Sequence, residues 1–309
     1  MKKILLIEPR GFCAGVERAI DIVEKSIEKY GAPIYVRHEI VHNKKVVEDL
    51  RAKGAIFVKE VDEVPAGAVV IFSAHGVSEQ VEKNSHKIKL HPIDATCPLV
   101  KKVHNQAKHY QDRKREIVLI GHKGHPEVVG TIGRVKKKVH LVENVDDVAK
   151  LDIVGLAAYI TQTTLSYDDT KPIIEALKAK FPDIVGPELD DICYATQNRQ
   201  TAVKKAAEKV DLILVIGSKN SSNSNRLRDV AESAGTKAYL IDNYSEIDNA
   251  WFDSVSTIGI TAGASAPTEL VEDLIEYLKT SLSIGEIVRD NFNIIENIKF
   301  NLPRELSSI

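Results

Sequence analysis

Short apolar runs separated by longer amphipathic stretches recur along almost the whole chain, and this alternation constrains the fold more than any other feature. Each run ends in a polar turn, and helical apolar spacing follows, as at 15–29, 99–111 and 267–282. Strands that alternate with helices pair in parallel, because each helix carries the chain back along the sheet. We therefore predict an α/β protein with mostly parallel sheets. The predicted strands lie at residues 3–7, 68–72, 116–120, 156–160, 211–216 and 257–260.

The chain is long enough, at 309 residues with 43% hydrophobic residues, for two or three domains with buried cores. Its 44 acidic and 42 basic residues are interspersed, which argues against binding to nucleic acid or to an anionic membrane. The apolar run near the start is too short for a secretory signal, and no stretch is long and apolar enough to span a bilayer. We therefore expect a cytoplasmic protein.

Three cysteines, Cys13, Cys97 and Cys193, are spaced by roughly 90 residues, a plausible size for one small α/β unit. Each is followed by a helical pattern. We predict three similar α/β domains, arranged pseudo-threefold like a trefoil with the cysteines near the axis. The predicted domains are 1–96, which includes the N-terminal strand and Cys13, then 97–192 and 193–282, followed by a tail, 283–309, that shows no strand–helix alternation and packs back on the body.

The position of each cysteine at the start of a predicted helix favours its thiolate, because the helix dipole and unpaired backbone N–H groups stabilise negative charge there. An odd number of cysteines in a reducing compartment argues against a disulfide framework. A lone cysteine of this kind is more often a small buried apolar residue. Three in equivalent positions favour a shared metal.

Two metal centres fit three thiolates. Zinc with a histidine as fourth ligand is one, although structural zinc sites usually use local pairs of cysteines, and no two cysteines are close in this sequence. A [4Fe–4S] cubane is the other, and three thiolates would leave one of its irons open to a further ligand. The residues alone leave both possibilities open.

Polar loops follow several predicted strands, at the end where parallel α/β proteins bind ligands. The serine- and asparagine-rich loop 217–225 leads into a helix and offers hydroxyl, amide and backbone N–H donors to phosphate oxygens. One such loop is most often an ordinary turn, but several at equivalent places favour an anion site. No nucleotide-binding glycine motif is present. His125 and Glu127 could combine a charged-ligand contact with a proton donor, or could form a surface turn.

Several longer motifs occur in a fixed order and cover essentially the whole chain. They are 9–16 (PRGFCAGV), 38–43 (HEIVHN), 72–77 (FSAHGV), 94–98 (DATCP), 121–127 (GHKGHPE), 161–166 (TQTTLS), 191–199 (DICYATQNR) and 221–224 (SSNS). In these motifs the chain resembles the 4-hydroxy-3-methylbut-2-enyl diphosphate reductases, the LytB family. None of these positions departs from the family pattern.

The resemblance implies three α/β domains around a central [4Fe–4S] cluster held by Cys13, Cys97 and Cys193, whose open iron meets the C4 hydroxyl of the substrate. It implies that Glu127, together with Thr163, delivers a proton to this hydroxyl. The residues that it implies for binding the diphosphate are His42, His75, His125, Ser221, Ser222, Asn223 and Ser265.

The reaction that the resemblance implies is reductive dehydroxylation of (E)-4-hydroxy-3-methylbut-2-enyl diphosphate to isopentenyl and dimethylallyl diphosphates, the last step of the methylerythritol phosphate route to isoprenoids. No flavin or nicotinamide motif is evident, so electrons would come singly from an external carrier such as ferredoxin or flavodoxin. The main alternative is a zinc-stabilised, non-catalytic module that binds a phosphorylated ligand. A thiol redox enzyme is disfavoured because no C-x-x-C motif is present.

Overall fold

The structure, a computed structural model, describes residues 1–187 and 191–307. Strands and helices alternate through most of this part of the chain. The strands are β1 (Lys2–Ile7), β2 (Ile34–Arg37), β3 (Ala55–Val58), β4 (Val69–Phe72), β5 (His91–Asp94), β6 (Glu116–Ile120), β7 (Val139–Val142), β8 (Ala157–Thr161), β9 (Leu212–Ile216), β10 (Lys237–Ile241), β11 (Thr257–Ala262) and β12 (Ile284–Asp290).

The helices connect these strands, and short 3-10 turns lie in some of the loops. The α-helices are α1 (Ala14–Tyr30), α2 (Lys44–Ala52), α3 (Glu79–Lys87), α4 (Pro98–Asp112), α5 (Pro126–Ile132), α6 (Val145–Ala149), α7 (Tyr167–Lys180), α8 (Tyr194–Ala207), α9 (Ser222–Ser233) and α10 (Thr268–Ser281). The 3-10 turns are Val61–Glu63, Tyr244–Glu246, Asn249–Phe252 and Arg304–Leu306. No helix in the described part of the chain has both the length and the apolar character that crossing a membrane requires.

The strands form three sheets, and every strand pair in them is parallel. The five-stranded sheet has the order β10-β9-β11-β1-β12. The four-stranded sheet has the order β3-β2-β4-β5, and the three-stranded sheet has the order β7-β6-β8. The predicted α/β class with parallel sheets is confirmed.

The first compact unit consists of Met1–Ala14, His42–Glu48 and Tyr194–Lys299 and contains the five-stranded sheet. Every residue of β9 is buried. Helix α10 packs on one face of this sheet, and α8 and α9 pack on the other. A parallel strand that is covered on both faces needs apolar side chains at successive positions, which explains the unbroken apolar run in β9.

The second compact unit consists of Gly15–Val41, Asp49–Cys193 and Phe300–Ile309 and contains the four-stranded and three-stranded sheets. The three-stranded sheet is again covered on both faces, by α7 on one side and α4 on the other. The four-stranded sheet has a separate core around Val70 and Phe72 of β4. The segments that follow β4, β5, β6 and β8 contain the predicted site residues of this unit, except Cys193, which directly precedes α8.

The chain path differs from the predicted domain organisation in two places. The predicted domain 1–96 groups the N-terminal strand with β2–β5. In the structure, β1 pairs with β11 and β12 instead and lies in a different sheet from β2–β5. Strand β12 lies within the predicted tail 283–309; it is an edge strand in which charged and apolar residues are interspersed, and most of its residues are exposed. The boundaries between 97–192 and 193–282 stay a prediction.

Candidate active site

Each of the three cysteines lies at the N-terminus of a helix, as the sequence predicts. Cys97 is the N-cap residue of α4, and α1 and α8 begin at the residues that follow Cys13 and Cys193. All three side chains are half-buried, and none of them forms a disulfide. The three thiols therefore share one setting in the fold.

A hydrogen bond from its own N–H group fixes the backbone of each cysteine. Every acceptor is a carbonyl oxygen in a loop that follows a strand. The pairs are Cys13 with Ala264 (3.2 Å) in the first unit, and Cys97 with Ala74 (3.0 Å) and Cys193 with Thr163 (3.0 Å) in the second unit.

The first unit brings Cys13 together with the predicted phosphate-binding loops. Strands β9 and β11 are neighbours, and parallel strands end at the same edge of a sheet, so the loops that follow them lie side by side. Asn223, only 5% exposed, accepts a hydrogen bond from the N–H of Ala264 (2.9 Å) and donates to Thr196 Oγ1 (3.2 Å). The carbonyl oxygen of Ala264 accepts the hydrogen bond from the N–H of Cys13, so Ala264 connects Cys13 to Asn223.

Ser221 and two glycines shape the loop before α9. The buried Oγ of Ser221 caps this helix by accepting hydrogen bonds from the N–H (3.3 Å) and the Oγ (3.1 Å) of Ser224. A Cβ added at Gly217 or Gly263 would lie 2.2 Å or 2.0 Å from Ser224 Oγ, so only glycine permits this approach of the two loops. Ser222 is the first residue of the helix, where backbone N–H groups favour anions.

The remaining predicted residues of the first unit lie around the same loops. Ser265 Oγ donates a hydrogen bond to the carbonyl oxygen of His42 (2.9 Å), and the Nδ1 of His42 lies 3.5 Å from Asn220 Nδ2. Six predicted residues are thus collected at one edge of the five-stranded sheet. We call them the first cluster: Cys13, His42, Ser221, Ser222, Asn223 and Ser265.

In the second unit, the carboxyl group of Glu127 is 2% exposed and binds Thr163 twice. Its Oε1 accepts from the N–H of Thr163 (2.7 Å), and its Oε2 accepts from the Oγ1 of Thr163 (2.9 Å). Burial raises the pKa of Glu127 to about 7, because desolvation of the charge outweighs the two hydrogen bonds from Thr163; the charge of Asp191 acts in the same direction as burial. The carboxyl group can therefore gain and lose a proton near neutral pH.

Two histidines lie at the N-terminus of α5, the helix that carries Glu127. His125 is the N-cap residue of α5, and its Nδ1 accepts a hydrogen bond from the N–H of Glu127 (3.2 Å), which leaves Nε2 as the N–H donor of the neutral ring. The ring of His75 is perpendicular to that of His125, with centroids 5.8 Å apart. The six predicted residues of this unit are connected by these contacts and by sequence neighbours. We call them the second cluster: Cys97, Cys193, His75, His125, Glu127 and Thr163.

Three buried polar residues near the clusters were not identified as site residues from the sequence. Thr196 accepts a hydrogen bond from the side chain of Asn223. Arg18 donates a hydrogen bond to the carbonyl oxygen of Thr96, and Arg199 donates one to the carbonyl oxygen of Gly11. An arginine in an amphipathic helix is normally exposed, so the apolar pattern gave no signal for either arginine. For Thr196 and Arg199 the only available signal was their place inside the motif 191–199.

The arrangement of these donors bears on the choice between zinc and a [4Fe–4S] cubane. Within residues 1–187 and 191–307, no group of three or more His, Cys, Asp or Glu side chains is arranged to hold a single metal ion. A cubane takes its thiolates on separate irons instead of one ion. Three thiols at helix N-termini are donors of the kind that such a cluster requires.

Thiols, imidazoles, serine hydroxyls and a buried carboxyl group thus lie in an α/β protein with parallel sheets, a fold class that binds ligands at the carboxyl ends of its strands. The family model described as LytB protein matches residues 4–279, and the chain belongs to this family. The chain is 59% identical over 306 residues to the 4-hydroxy-3-methylbut-2-enyl diphosphate reductase of Azoarcus sp. (strain BH72), covering 98% of this chain and 97% of that protein. The resemblance found in the motifs is confirmed.

Two solved structures are similar along most of the chain. One is the E-1-hydroxy-2-methyl-but-2-enyl-4-diphosphate reductase from Plasmodium falciparum, with a TM-score of 0.94, 40% sequence identity, and coverage of 99% of this chain and 96% of that chain. The other is an (E)-4-hydroxy-3-methyl-but-2-enyl diphosphate reductase described as the terminal enzyme of the non-mevalonate pathway, with a TM-score of 0.66, 32% identity, and coverage of 91% and 100%. Both support the assignment of the fold to this family.

Proposed function

We propose that this protein catalyses the reductive dehydroxylation of (E)-4-hydroxy-3-methylbut-2-enyl diphosphate to isopentenyl and dimethylallyl diphosphates. The observation that carries the proposal is the buried carboxyl group of Glu127, which both donors of Thr163 hold and whose pKa is about 7. The names of the relatives, all reductases of a hydroxy-methylbutenyl diphosphate, support the choice of substrate.

We propose that Cys13, Cys97 and Cys193 hold one [4Fe–4S] cluster, which would supply electrons and an open, Lewis-acidic iron. Membership of the LytB family supports this assignment. So does the shared setting of the three thiols, each half-buried, at a helix N-terminus and fixed by a backbone hydrogen bond.

Departure of the substrate hydroxyl requires a proton, because hydroxide is a poor leaving group. Glu127, with a pKa of about 7, is partly protonated at neutral pH and can supply it. The hydroxyl of Thr163 can accept a proton from Oε2 of Glu127 and donate its own onward, since a hydroxyl group is both donor and acceptor. We therefore assign Glu127 as the proton donor and Thr163 as the group that transfers the proton to the leaving oxygen.

We propose that neutral donors bind the diphosphate. The first cluster offers serine hydroxyls, an asparagine amide and the N-terminus of α9, and the second offers two imidazoles. Lys219, in the loop before α9, pairs with Glu246 (3.0 Å), and we assign the phosphate contacts to the neutral donors instead. The residues proposed for the diphosphate are His42, His75, His125, Ser221, Ser222, Asn223 and Ser265.

We propose that an external one-electron carrier such as ferredoxin or flavodoxin reduces the protein, and that it works in the cytoplasm. The sequence supports the first point, since it has no flavin or nicotinamide motif. Three thiols outside any disulfide support the second, because such thiols persist in a reducing compartment.

Anaerobic purification tests the proposal. We expect a brown protein with about four irons and matching sulfide per chain, active on the diphosphate substrate with a reduced dye. A colourless zinc protein would exclude the reductase function.

A Glu127→Gln variant tests the proton donor. We expect it to keep its iron and its substrate affinity but to lose turnover by about 100-fold or more, the usual contribution of a general acid. Glu208→Gln, at an exposed position, is the control and should retain full turnover. Near-normal turnover in Glu127→Gln would remove Glu127 from the proton pathway.

A further inference from the structure

Two arginines are buried on helices that follow cysteines in the chain. Arg18 lies on α1, after Cys13, and is 8% exposed; Arg199 lies on α8, after Cys193, and is 1% exposed. Burial of a guanidinium group is costly unless hydrogen bonds replace its water. The contacts of the two side chains show what replaces it here.

Arg18 binds carbonyl oxygens immediately before Cys97. Its Nη1 donates to the carbonyl oxygens of Thr96 (3.2 Å) and Ala95 (3.4 Å). The peptide bond between Thr96 and Cys97 is also held from its other side, because the N–H of Cys97 donates to a carbonyl oxygen in the loop after β4 (3.0 Å). With both polar groups of this peptide bond held, the N–Cα bond of Cys97 is held in place as well.

Arg199 makes the equivalent contacts before Cys13. Its Nη2 donates to the carbonyl oxygen of Gly11 (2.9 Å) and lies 3.5 Å from that of Phe12, while its Nη1 donates to the carboxylate of Glu296 (3.0 Å). The N–H of Cys13 donates to the loop after β11 (3.2 Å). The peptide groups before Cys13 are therefore held from both sides, as they are before Cys97.

We propose that Arg18 and Arg199 are positioning residues for the metal-binding cysteines. Arg18 follows Cys13 in the chain and fixes Cys97, and Arg199 follows Cys193 in the chain and fixes Cys13. This inference rests on the proposed function, because it concerns the cysteines as ligands of one cluster. Groups that orient metal ligands contribute to metal retention even though they do not touch the metal.

Arg115 provides a matched control. Its Nη1 also donates to two carbonyl oxygens, those of Ala157 (3.0 Å) and Asp183 (3.4 Å), but neither residue adjoins a cysteine. Substitution of Arg115 therefore removes the same kind of contact and leaves the backbone at all three cysteines unchanged.

Residue-resolved hydrogen exchange of the full chain, prepared anaerobically, tests the proposal in Arg18→Gln, Arg199→Gln and Arg115→Gln. Loss of a charge-assisted hydrogen bond to the carbonyl oxygen before a cysteine loosens the backbone there, so we expect roughly tenfold faster exchange at the N–H of that cysteine. Arg18→Gln should accelerate the N–H of Cys97 and not that of Cys13, Arg199→Gln should do the reverse, and Arg115→Gln should change neither. Release of iron to a chelator should be roughly tenfold faster in the first two variants only.

Equal acceleration at both cysteines in each variant, or no acceleration at either, would overturn the proposal. If the glutamine variants do not fold, Arg18→Lys and Arg199→Lys serve instead, because they keep the charge but lack the planar fork of donors. They should show the same crossed pattern, in which each arginine affects one cysteine and not the other, with a smaller amplitude. The crossed pattern in a protein without iron would refute the proposed function and leave the positioning role intact. Bound iron without the crossed pattern would refute the positioning role alone.

Discussion

Replacement of Glu127 by glutamine should stabilise the protein above neutral pH, although it removes the proposed proton donor. The side chain is buried, and the amide of glutamine has nearly the same shape as the carboxyl group. Its oxygen can still accept the hydrogen bond from the N–H of Thr163, and its NH₂ group can donate to the threonine hydroxyl. The substitution therefore removes a buried ionisable group while keeping its hydrogen bonds.

The size of the effect follows from the pKa of Glu127, which burial raises from 4.5 to about 7. As the pH rises through 4.5 the carboxyl group ionises in the unfolded chain, but in the folded protein it keeps its proton until about pH 7. The stability associated with this group is therefore fully present below pH 4.5 and is lost as the pH rises to 7. At ~1.4 kcal/mol per pH unit, the loss amounts to about 3 kcal/mol at pH 8, and the glutamine variant should not suffer it.

Anaerobic calorimetry of the wild type, Glu127→Gln and the exposed-site control Glu208→Gln at pH 5 and pH 8 measures this loss. For a chain of this size, 3 kcal/mol corresponds to roughly 5 °C in the midpoint of thermal unfolding. We expect Glu127→Gln to unfold near the wild-type temperature at pH 5 and roughly 5 °C higher at pH 8. A difference that is the same at both pH values, or a lower midpoint at pH 8, would refute the assignment of the raised pKa to burial.

Two further substitutions test other parts of the site. Thr163→Val removes the hydroxyl that favours the ionised form of Glu127, so the pKa seen in the pH profile of kcat/KM should rise while turnover falls roughly tenfold or more. The control Thr163→Ser should keep both the pKa and the turnover near wild type. If Thr163→Val leaves the pH profile unchanged, Thr163 takes no part in proton transfer. Gly263→Ala places a Cβ 2.0 Å from Ser224 Oγ, so we expect a loss of about 1 to 3 kcal/mol in the free energy of unfolding and a higher KM for the diphosphate. Adding Ser224→Ala should restore part of the stability and part of the affinity. A double variant no better than the single one would show that this contact is not the cause.

The long helices and buried strands could be predicted because their apolar spacing is regular. The prediction of 15–29 corresponds to α1 (Ala14–Tyr30), and that of 267–282 corresponds to α10 (Thr268–Ser281). Strand β5, with the sequence HPID, has one buried residue and gives no such signal. For the same reason β12 could not be predicted, since most of its residues are exposed. Short and edge strands depend on their neighbours in the sheet, and a single sequence does not show those neighbours.

The types of residue in the site could be predicted, but the contacts between them could not. The serine-rich loop before α9 and the pair His125 and Glu127 are visible in the sequence. The contact of Glu127 with Thr163 depends on β8 lying next to β6, although β7 comes between them in the chain. That order places the loop after β8 beside α5, and only then does the carboxyl group become buried. The raised pKa of Glu127 is thus a consequence of strand order, which local patterns do not specify.

Arg18, Arg199 and Glu127 share one property: each is a charged residue that lies on a helix and is buried. Helix patterning would place such residues in solvent, and burial of each costs free energy unless a specific partner compensates it. The partners found are the carbonyl groups before Cys97 and Cys13 for the arginines, and Thr163 for the carboxyl group. Desolvation brings the pKa of Glu127 close to 7, and the same desolvation lowers the free energy of unfolding above pH 7. The proposed proton donation by Glu127 and the lower stability at high pH therefore have one physical cause. Buried charges with such partners are therefore positions that local helix patterning does not predict.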